Sequence, residues 1–202
     1  MNKIKGHLIV AVSIAIFSAN AVLANPLFLQ VEGRAGKFDQ AELASPSDGA
    51  SGGDGSSDFP ASGEINVKVG TTLSNGNTFG IGYSGLSTVI QVPSGDFFTA
   101  SNIFGFYQFR TAMDGESSFG FTIEVGVGEG TRDPNVGALL PEETALPTSE
   151  TSVYYSGTVF WEKPVTEYGS IVIGAGYRQA RFSEVKADFT GLVGLVGIRV
   201  GG

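Results

Sequence analysis

Ser118-Phe119-Gly120-Phe121-Thr122-Ile123-Glu124-Val125-Gly126-Val127-Gly128 alternates without a break between apolar residues and small or polar ones. Period-2 alternation puts Phe119, Phe121, Ile123, Val125 and Val127 on one face of a strand. The other face is glycine, hydroxyl and the single carboxylate of Glu124. The run is about 10 residues long, the length a tilted strand needs to cross a bilayer. It serves as the template for the rest of the chain.

The first two dozen residues are of a different kind. Lys3 and Lys5 precede an apolar run from Leu8 to Phe17, and small residues follow up to Ala21 and Ala24. This is the pattern of a secretory signal peptide, with the run too short and wrongly flanked for a spanning helix. Cleavage after Ala24 (1–24) is expected, with Ala21 as the other site. It removes His7, the only histidine, and leaves residues 25–202 as one domain. The full chain has 12 basic and 20 acidic residues; losing Lys3 and Lys5 leaves 10 against 20, a net charge of −10. An acidic chain argues against a nucleic-acid partner, which needs clustered Lys and Arg. With no cysteine, stability must come from packing, from a closed sheet or from the bilayer. Thirty glycines and fifteen phenylalanines without long 3.6-period amphipathicity point to an all-β chain.

Seven further segments follow the template. Leu27, Leu29, Val31 and Ala35 oppose Gln30, Glu32 and Arg34. Ile65, Val67 and Val69 oppose Glu64, Asn66 and Lys68. The tetrapeptide Ser74-Asn75-Gly76-Asn77 follows, and its Asn-Gly predicts a type I′ hairpin turn. Phe79, Ile81 and Tyr83 make the third strand. In the fourth, about 98–111, the register that sends Arg110 to the polar face puts Ile103, Tyr107 and Phe109 on the apolar one; the opposite register stays open. The sixth strand sets Val153, Tyr155, Val159 and Trp161 against Tyr154, Ser156, Thr158 and Phe160. The seventh sets Ile171, Ile173, Ala175 and Tyr177 against Gly174, Gly176 and Arg178. The eighth runs from Phe189 to the end and sets Leu192, Val196, Ile198 and Val200 against Gly191, Gly197 and Arg199.

The connections alternate between longer and shorter ones. Stretches 39–60 and 129–150 are long and polar, 87–96 and 183–188 are intermediate, and 74–77, 113–117 and 163–167 are short. Tight turns on one side and long loops on the other predict an eight-stranded antiparallel up-and-down transmembrane β-barrel. Closure is required in hydrocarbon, where an open edge would leave backbone groups unpaired. Three features turn the barrel inside out. The polar face carries charges of both signs, at Glu32, Arg34, Glu64, Lys68, Arg110, Glu124, Arg178 and Arg199, and a narrow barrel holds such groups as an internal network. The same face is dense in glycine. Large aromatics cluster near strand ends, as in interfacial girdles: Phe79, Tyr83, Tyr107, Phe109, Phe119, Phe121, Tyr155, Trp161 and Tyr177 are assigned to the lipid-facing surface. Glu124 then sits mid-barrel and needs a cation from Lys68, Arg110, Arg178 or Arg34.

In its signal peptide, eight alternating segments, loop rhythm and mixed-charge polar face the chain resembles the small outer-membrane β-barrel proteins of Gram-negative bacteria, the OmpA/OmpX-like and opacity-type group. The resemblance is architectural and spans the mature chain. It implies residence in the outer membrane as a monomer, contact with its lipid and lipopolysaccharide, and a surface role for the loops. The chain departs from the pattern at its end, Gly197-Ile198-Arg199-Val200-Gly201-Gly202, where such barrels usually place an aromatic.

Catalysis is not expected. A general base working near neutral pH is most often histidine, and the mature chain has neither histidine nor cysteine. No cofactor is implied. Asp48, Asp54 and Asp58 lack calcium-loop spacing, and with Asp133, Glu142 and Glu143 they read as solvated loop residues, so no metal site is assigned. Eight strands leave room for side chains, not a pore. The expectation is therefore a non-enzymatic structural or surface-interaction protein, adhesion-like, meeting a surface or host partner through 39–60 and 129–150. The alternative is a soluble exported, lipocalin-like barrel that binds an apolar ligand; it requires Phe119, Phe121 and Ile123 to face a cavity.

Overall fold

A computed structural model describes residues 26–37, 61–89, 97–113, 117–133, 149–185 and 187–202. Among the described residues, alternating apolar and small side chains fold into nine strands: β1 (Leu27–Lys37), β2 (Ala61–Thr72), β3 (Thr78–Val89), β4 (Phe97–Ala112), β5 (Ser118–Asp133), β6 (Ser149–Pro164), β7 (Gly169–Phe182), β8 (Ala187–Asp188) and β9 (Gly191–Gly201). Each of β1 to β7 pairs antiparallel with the next, and β9 closes the ring by pairing with both β7 and β1. Eight strands make the barrel. The two-residue β8 pairs only with Arg181 and Phe182 of β7.

The closure is staggered. From Glu32, one row of partners runs through Asn66, Ser84 and Asn102 to Gly128. The row in the other direction runs through Gly197, Val172 and Glu162 to Ser118. Both end on β5, ten residues apart, a stagger that only tilted strands can accommodate.

The turns at 73–77 and 165–168 gather at one end with Met113 and Ser117, where the Met113 amide donates to the Ser117 carbonyl at 2.8 Å, and the start of β1 lies beside them: the Thr72 amide donates to the Pro26 carbonyl at 3.1 Å. The first turn departs from the type I′ expectation. Leu73 donates to the Asn77 carbonyl at 2.7 Å and Gly76 to the Leu73 carbonyl at 2.9 Å, so the loop has three residues. Gly76 sits in the left-handed region, with φ 83°. A type I turn closed by a left-handed glycine is the other hairpin solution that matches the strand twist.

Two further expectations are corrected. The strand template does not end at Gly128: β5 runs to Asp133 and β6 starts at Ser149, because backbone pairing continues past the last apolar residue. The stretch 183–188 is not a plain loop, since it contains β8 and a side chain packed into the barrel. The segments 1–24 and 39–60, with His7, Asp48, Asp54 and Asp58, lie outside the described residues, as do Glu142 and Glu143.

Candidate functional site

Pleating decides which side chains meet inside. Alternate residues of every strand point into the lumen, and the stagger brings those of β1, β2, β5, β6 and β7 to one level. At the centre is Arg34. Its Nη2 donates to Glu124 Oε1 at 2.5 Å and to Glu32 Oε2 at 2.7 Å, its Nη1 to Glu124 Oε2 at 2.9 Å, and its Nε to Glu32 Oε2 at 2.9 Å. Lys68 Nζ lies 2.7 Å from Glu32 Oε1 and 2.8 Å from Glu124 Oε1. The Tyr154 hydroxyl donates to Glu124 Oε2 at 2.7 Å, and Gln30 Nε2 donates to Glu32 Oε1 at 2.5 Å. Two carboxylates and two cations therefore neutralise one another.

Toward the loop end, Arg178 pairs with Glu64 and donates through Nε to the Phe189 carbonyl at 2.9 Å. Arg34 and Glu64 approach to 3.9 Å, so the two groups adjoin. Side chains of the two groups are at most 1% exposed. Toward the turn end, Arg110 pairs with Glu162 and reaches Ser118 Oγ at 3.3 Å. Arg199 donates to Thr72 Oγ1 at 3.0 Å and Gln108 Oε1 at 3.4 Å, and stacks on the Phe28 ring at 3.7 Å. Among the described residues, no carboxylate lies within 4 Å of it.

Of the eight lumenal charges singled out from the sequence, Glu32, Arg34, Lys68 and Glu124 form one cluster, Glu64 and Arg178 adjoin it, and Arg110 and Arg199 sit apart near the turn end. Glu124 takes both Arg34 and Lys68. Missing from the sequence reading were Glu162, Gln30 and Tyr154 as partners. Their strand parity placed them inside, but nothing in the chain said which charge they would meet. The loop-end seal was also missed. Val185 and Phe189 are buried at the mouth, and Phe189 meets Phe182 edge-on at 6.1 Å. Glu150 holds this segment by accepting from the Glu184 and Val185 amides at 2.6 and 3.2 Å. A short polar stretch carries no period from which such a fold-back could be read.

The arrangement binds charge rather than exposing it. Both oxygens of Glu32 and Glu124 are taken by cations, which leaves neither as a base or nucleophile. Phe104, Phe106, Phe160 and Val172 fill other parts of the lumen. Among the described residues, no three His, Cys, Asp or Glu side chains converge as metal ligands would.

The outer wall has the opposite character. Phe79, Tyr83, Tyr107, Phe109, Phe119, Phe121, Tyr155, Trp161 and Tyr177 all point outward. Phe119 stands opposite Trp161 and Phe109 opposite Phe121 toward the turn end, while Tyr83, Tyr155 and Tyr177 lie toward the loop end. Phe119, Phe121 and Ile123 are 49%, 39% and 42% exposed on this wall, so they do not line a cavity as a lipocalin-like barrel requires. From Phe119 to Val127 the wall is apolar over about 26 Å of strand at about 3.3 Å per residue. A tilt near 40° brings that to about 20 Å; adding the ring widths fits an outward band about 25 Å tall.

No protein-family model and no curated protein sequence matches the chain. Solved structures do. Neisserial surface protein A (NspA) superposes with a TM-score of 0.57 at 12% identity, over 86% of this chain and 96% of that one. The N-terminal barrel of Pseudomonas aeruginosa OprF gives 0.47 at 7% identity, over 88% and 98%. Ail of Yersinia pestis, the attachment invasion locus protein, in complex with the heparin analogue sucrose octasulfate, gives 0.44 at 14%, over 88% and 99%. At such identities the likeness is one of fold alone, and the superposition on NspA carries it: a closed antiparallel β-barrel.

Proposed function

We propose that the protein is a non-enzymatic outer-membrane barrel whose work is done outside the lumen, as a rigid scaffold that presents its loop end to the cell's surroundings. The observation that supports this reading is the reversal of burial: ion pairs inside, an apolar belt with aromatic edges outside. Water would not tolerate that belt, and hydrocarbon requires it. A lumen filled by interlocked charges leaves no room for a substrate. Binding chemistry is then left to the connections at the loop end, where a rigid scaffold usually carries it. The partner assigned to the segments 39–60 and 129–150 is another surface, met in an adhesion-like way, with the outer-membrane glycolipid as the immediate neighbour.

Cell fractionation tests the location. The protein should pellet with the outer membrane and migrate differently on a gel before and after boiling. Recovery in the soluble periplasm overturns the reading. For the surface role, cells bearing the full barrel are compared with cells in which 39–60 is replaced by a short glycine-serine linker. Equal adhesion of both, with equal amounts of barrel in the membrane, removes 39–60 from the role.

A further inference from the structure

Asn75-Gly76 is the one Asn-Gly pair in the chain, and it lies at the tip of the turn between β2 and β3. Asn75 is exposed. Its Oδ1 accepts from the Asn77 amide at 3.1 Å, and the Gly76 amide donates to the Leu73 carbonyl at 2.9 Å. Asn77 in turn ties the loop to β4. Its Nδ2 donates to the Tyr107 hydroxyl at 3.1 Å, and its Oδ1 accepts from the Arg110 amide at 3.1 Å. Among the described residues, a Cβ added to Gly76 would meet nothing within 4 Å. The pair is therefore held by the hydrogen bonds of its own turn rather than by packing.

An asparagine followed by glycine carries its own reaction. The Gly76 nitrogen attacks Asn75 Cγ, unhindered because glycine has no side chain. The new C–N bond closes a five-membered succinimide. Water or hydroxide takes the proton from that nitrogen, and a proton returned by water lets the side-chain nitrogen leave as ammonia. A second water then opens the ring. Addition at Cγ gives aspartate. Addition at the main-chain carbonyl gives isoaspartate, in which the chain runs through the side chain and is one carbon longer. The first step needs a Gly76 nitrogen free to lose its proton and to turn toward Cγ. In the folded turn that N–H is given to Leu73, and the Asn77 amide holds Asn75 Oδ1 in place. Unfolding removes both restraints.

We propose that Asn75 is a modification site whose conversion to aspartate and isoaspartate is held off by the folded turn, so that the modified residue marks chains that have stayed unfolded. An isoaspartate puts an extra main-chain atom between Leu73 and Asn77. The loop is closed by the Leu73 amide on the Asn77 carbonyl at 2.7 Å, and loop length sets which turn can join two strands in register. A marked chain therefore closes the hairpin of β2 and β3 poorly. The proposal does not depend on what the loop end binds.

The test keeps the full chain in one mildly alkaline buffer in two states: inserted into phosphatidylcholine vesicles, and unfolded in urea. Peptide mass mapping follows the acid form at Asn75, and an isoaspartate methyltransferase counts isoaspartate. The gel shift on boiling verifies insertion. Conversion should be slower in the folded barrel by about tenfold or more, the rate equivalent of one hydrogen bond given up before the attack. Asn77→Ala, which unties the turn from β4, should speed conversion in the folded barrel and leave the urea rate unchanged; if this variant does not insert, the wild-type comparison decides. Gly76→Ala should slow conversion in urea, where folding plays no part. Isoaspartate-bearing chains moved from urea to vesicles should give a smaller folded fraction than unmodified ones. Equal wild-type rates in the two states, no conversion at Asn75 in urea, a folded Asn77→Ala that converts no faster than wild type, or an equal folded fraction for marked chains would overturn the proposal.

Discussion

At Glu124 every acceptor site is used: Arg34 takes both oxygens, Lys68 one and Tyr154 the other. A buried carboxylate is tolerable only with such partners, because its desolvation is otherwise uncompensated. Arg34 is the member with most partners, so Arg34→Met should cost about 3–5 kcal/mol by stranding Glu32 and Glu124. Lys68→Met leaves Arg34 in place and should cost less, about 1.5–3 kcal/mol. Adding Glu124→Gln to Arg34→Met should restore part of the loss. Urea unfolding of the refolded protein, followed by the gel shift, reads all three; equal costs for Arg34 and Lys68 would mean that the charges act independently. Glycine has an equally local role. A Cβ on Gly82 would lie 2.3 Å from the Phe104 ring, whereas one on Gly63 meets nothing. Gly82→Ala should therefore destabilise by about 1–3 kcal/mol, as overpacking does. Gly63→Ala should be near neutral, within about 0.5 kcal/mol. The same unfolding curves decide this.

A single strand, β5, records where the membrane ends. Its outward residues are apolar from Phe119 to Val127, then change to Glu129 and Thr131 while pairing runs on to Asp133. An arginine at Val125 faces hydrocarbon near the midplane and should cost roughly 2–4 kcal/mol. At Thr131, on the same face of the same strand, it should cost about 0–1 kcal/mol. The ratio of folded to unfolded bands in lipid vesicles measures both. A similar cost at the two sites would place Thr131 inside the bilayer and shift the whole belt. β4, β5 and β6 have 16 residues each, against 11 or 12 in β1, β2, β3 and β9.

The molecule as a whole is a closed wall around a filled centre. The loop-end mouth is sealed by Val185 and Phe189, and the middle is locked by the cluster around Arg34. In planar bilayers the refolded protein should therefore give no steady single-channel conductance. Regular open levels of defined size would show that the lumenal ion pairs rearrange to admit ions.

Much of this was legible in the chain because a strand has a period of two. Once Phe119 to Val127 had one face, the faces of Glu32, Arg34, Lys68, Arg178 and Arg199 followed from parity alone. The rhythm of short and long connections supplied the up-and-down order. Strand ends were less legible, since pairing at Glu129 to Asp133 depends on the neighbouring strands rather than on apolar side chains. The turn at Gly76 was read as the wrong hairpin type, because Asn-Gly suits both a two-residue and a three-residue loop and only the position of Leu73 opposite Asn77 distinguishes them.

By itself the sequence determined the two faces of each strand, the number of long strands and the charges that had to be hidden, all local properties of alternation. Only the tertiary structure decided that Arg34 and Lys68, rather than Arg110 or Arg178, neutralise Glu124. It also decided that Phe189 folds back into the mouth and that Gly63 and Gly194 flank Ala35 on the outer wall. These contacts join residues far apart in the chain, and the stagger at which eight tilted strands close sets which of them share a level.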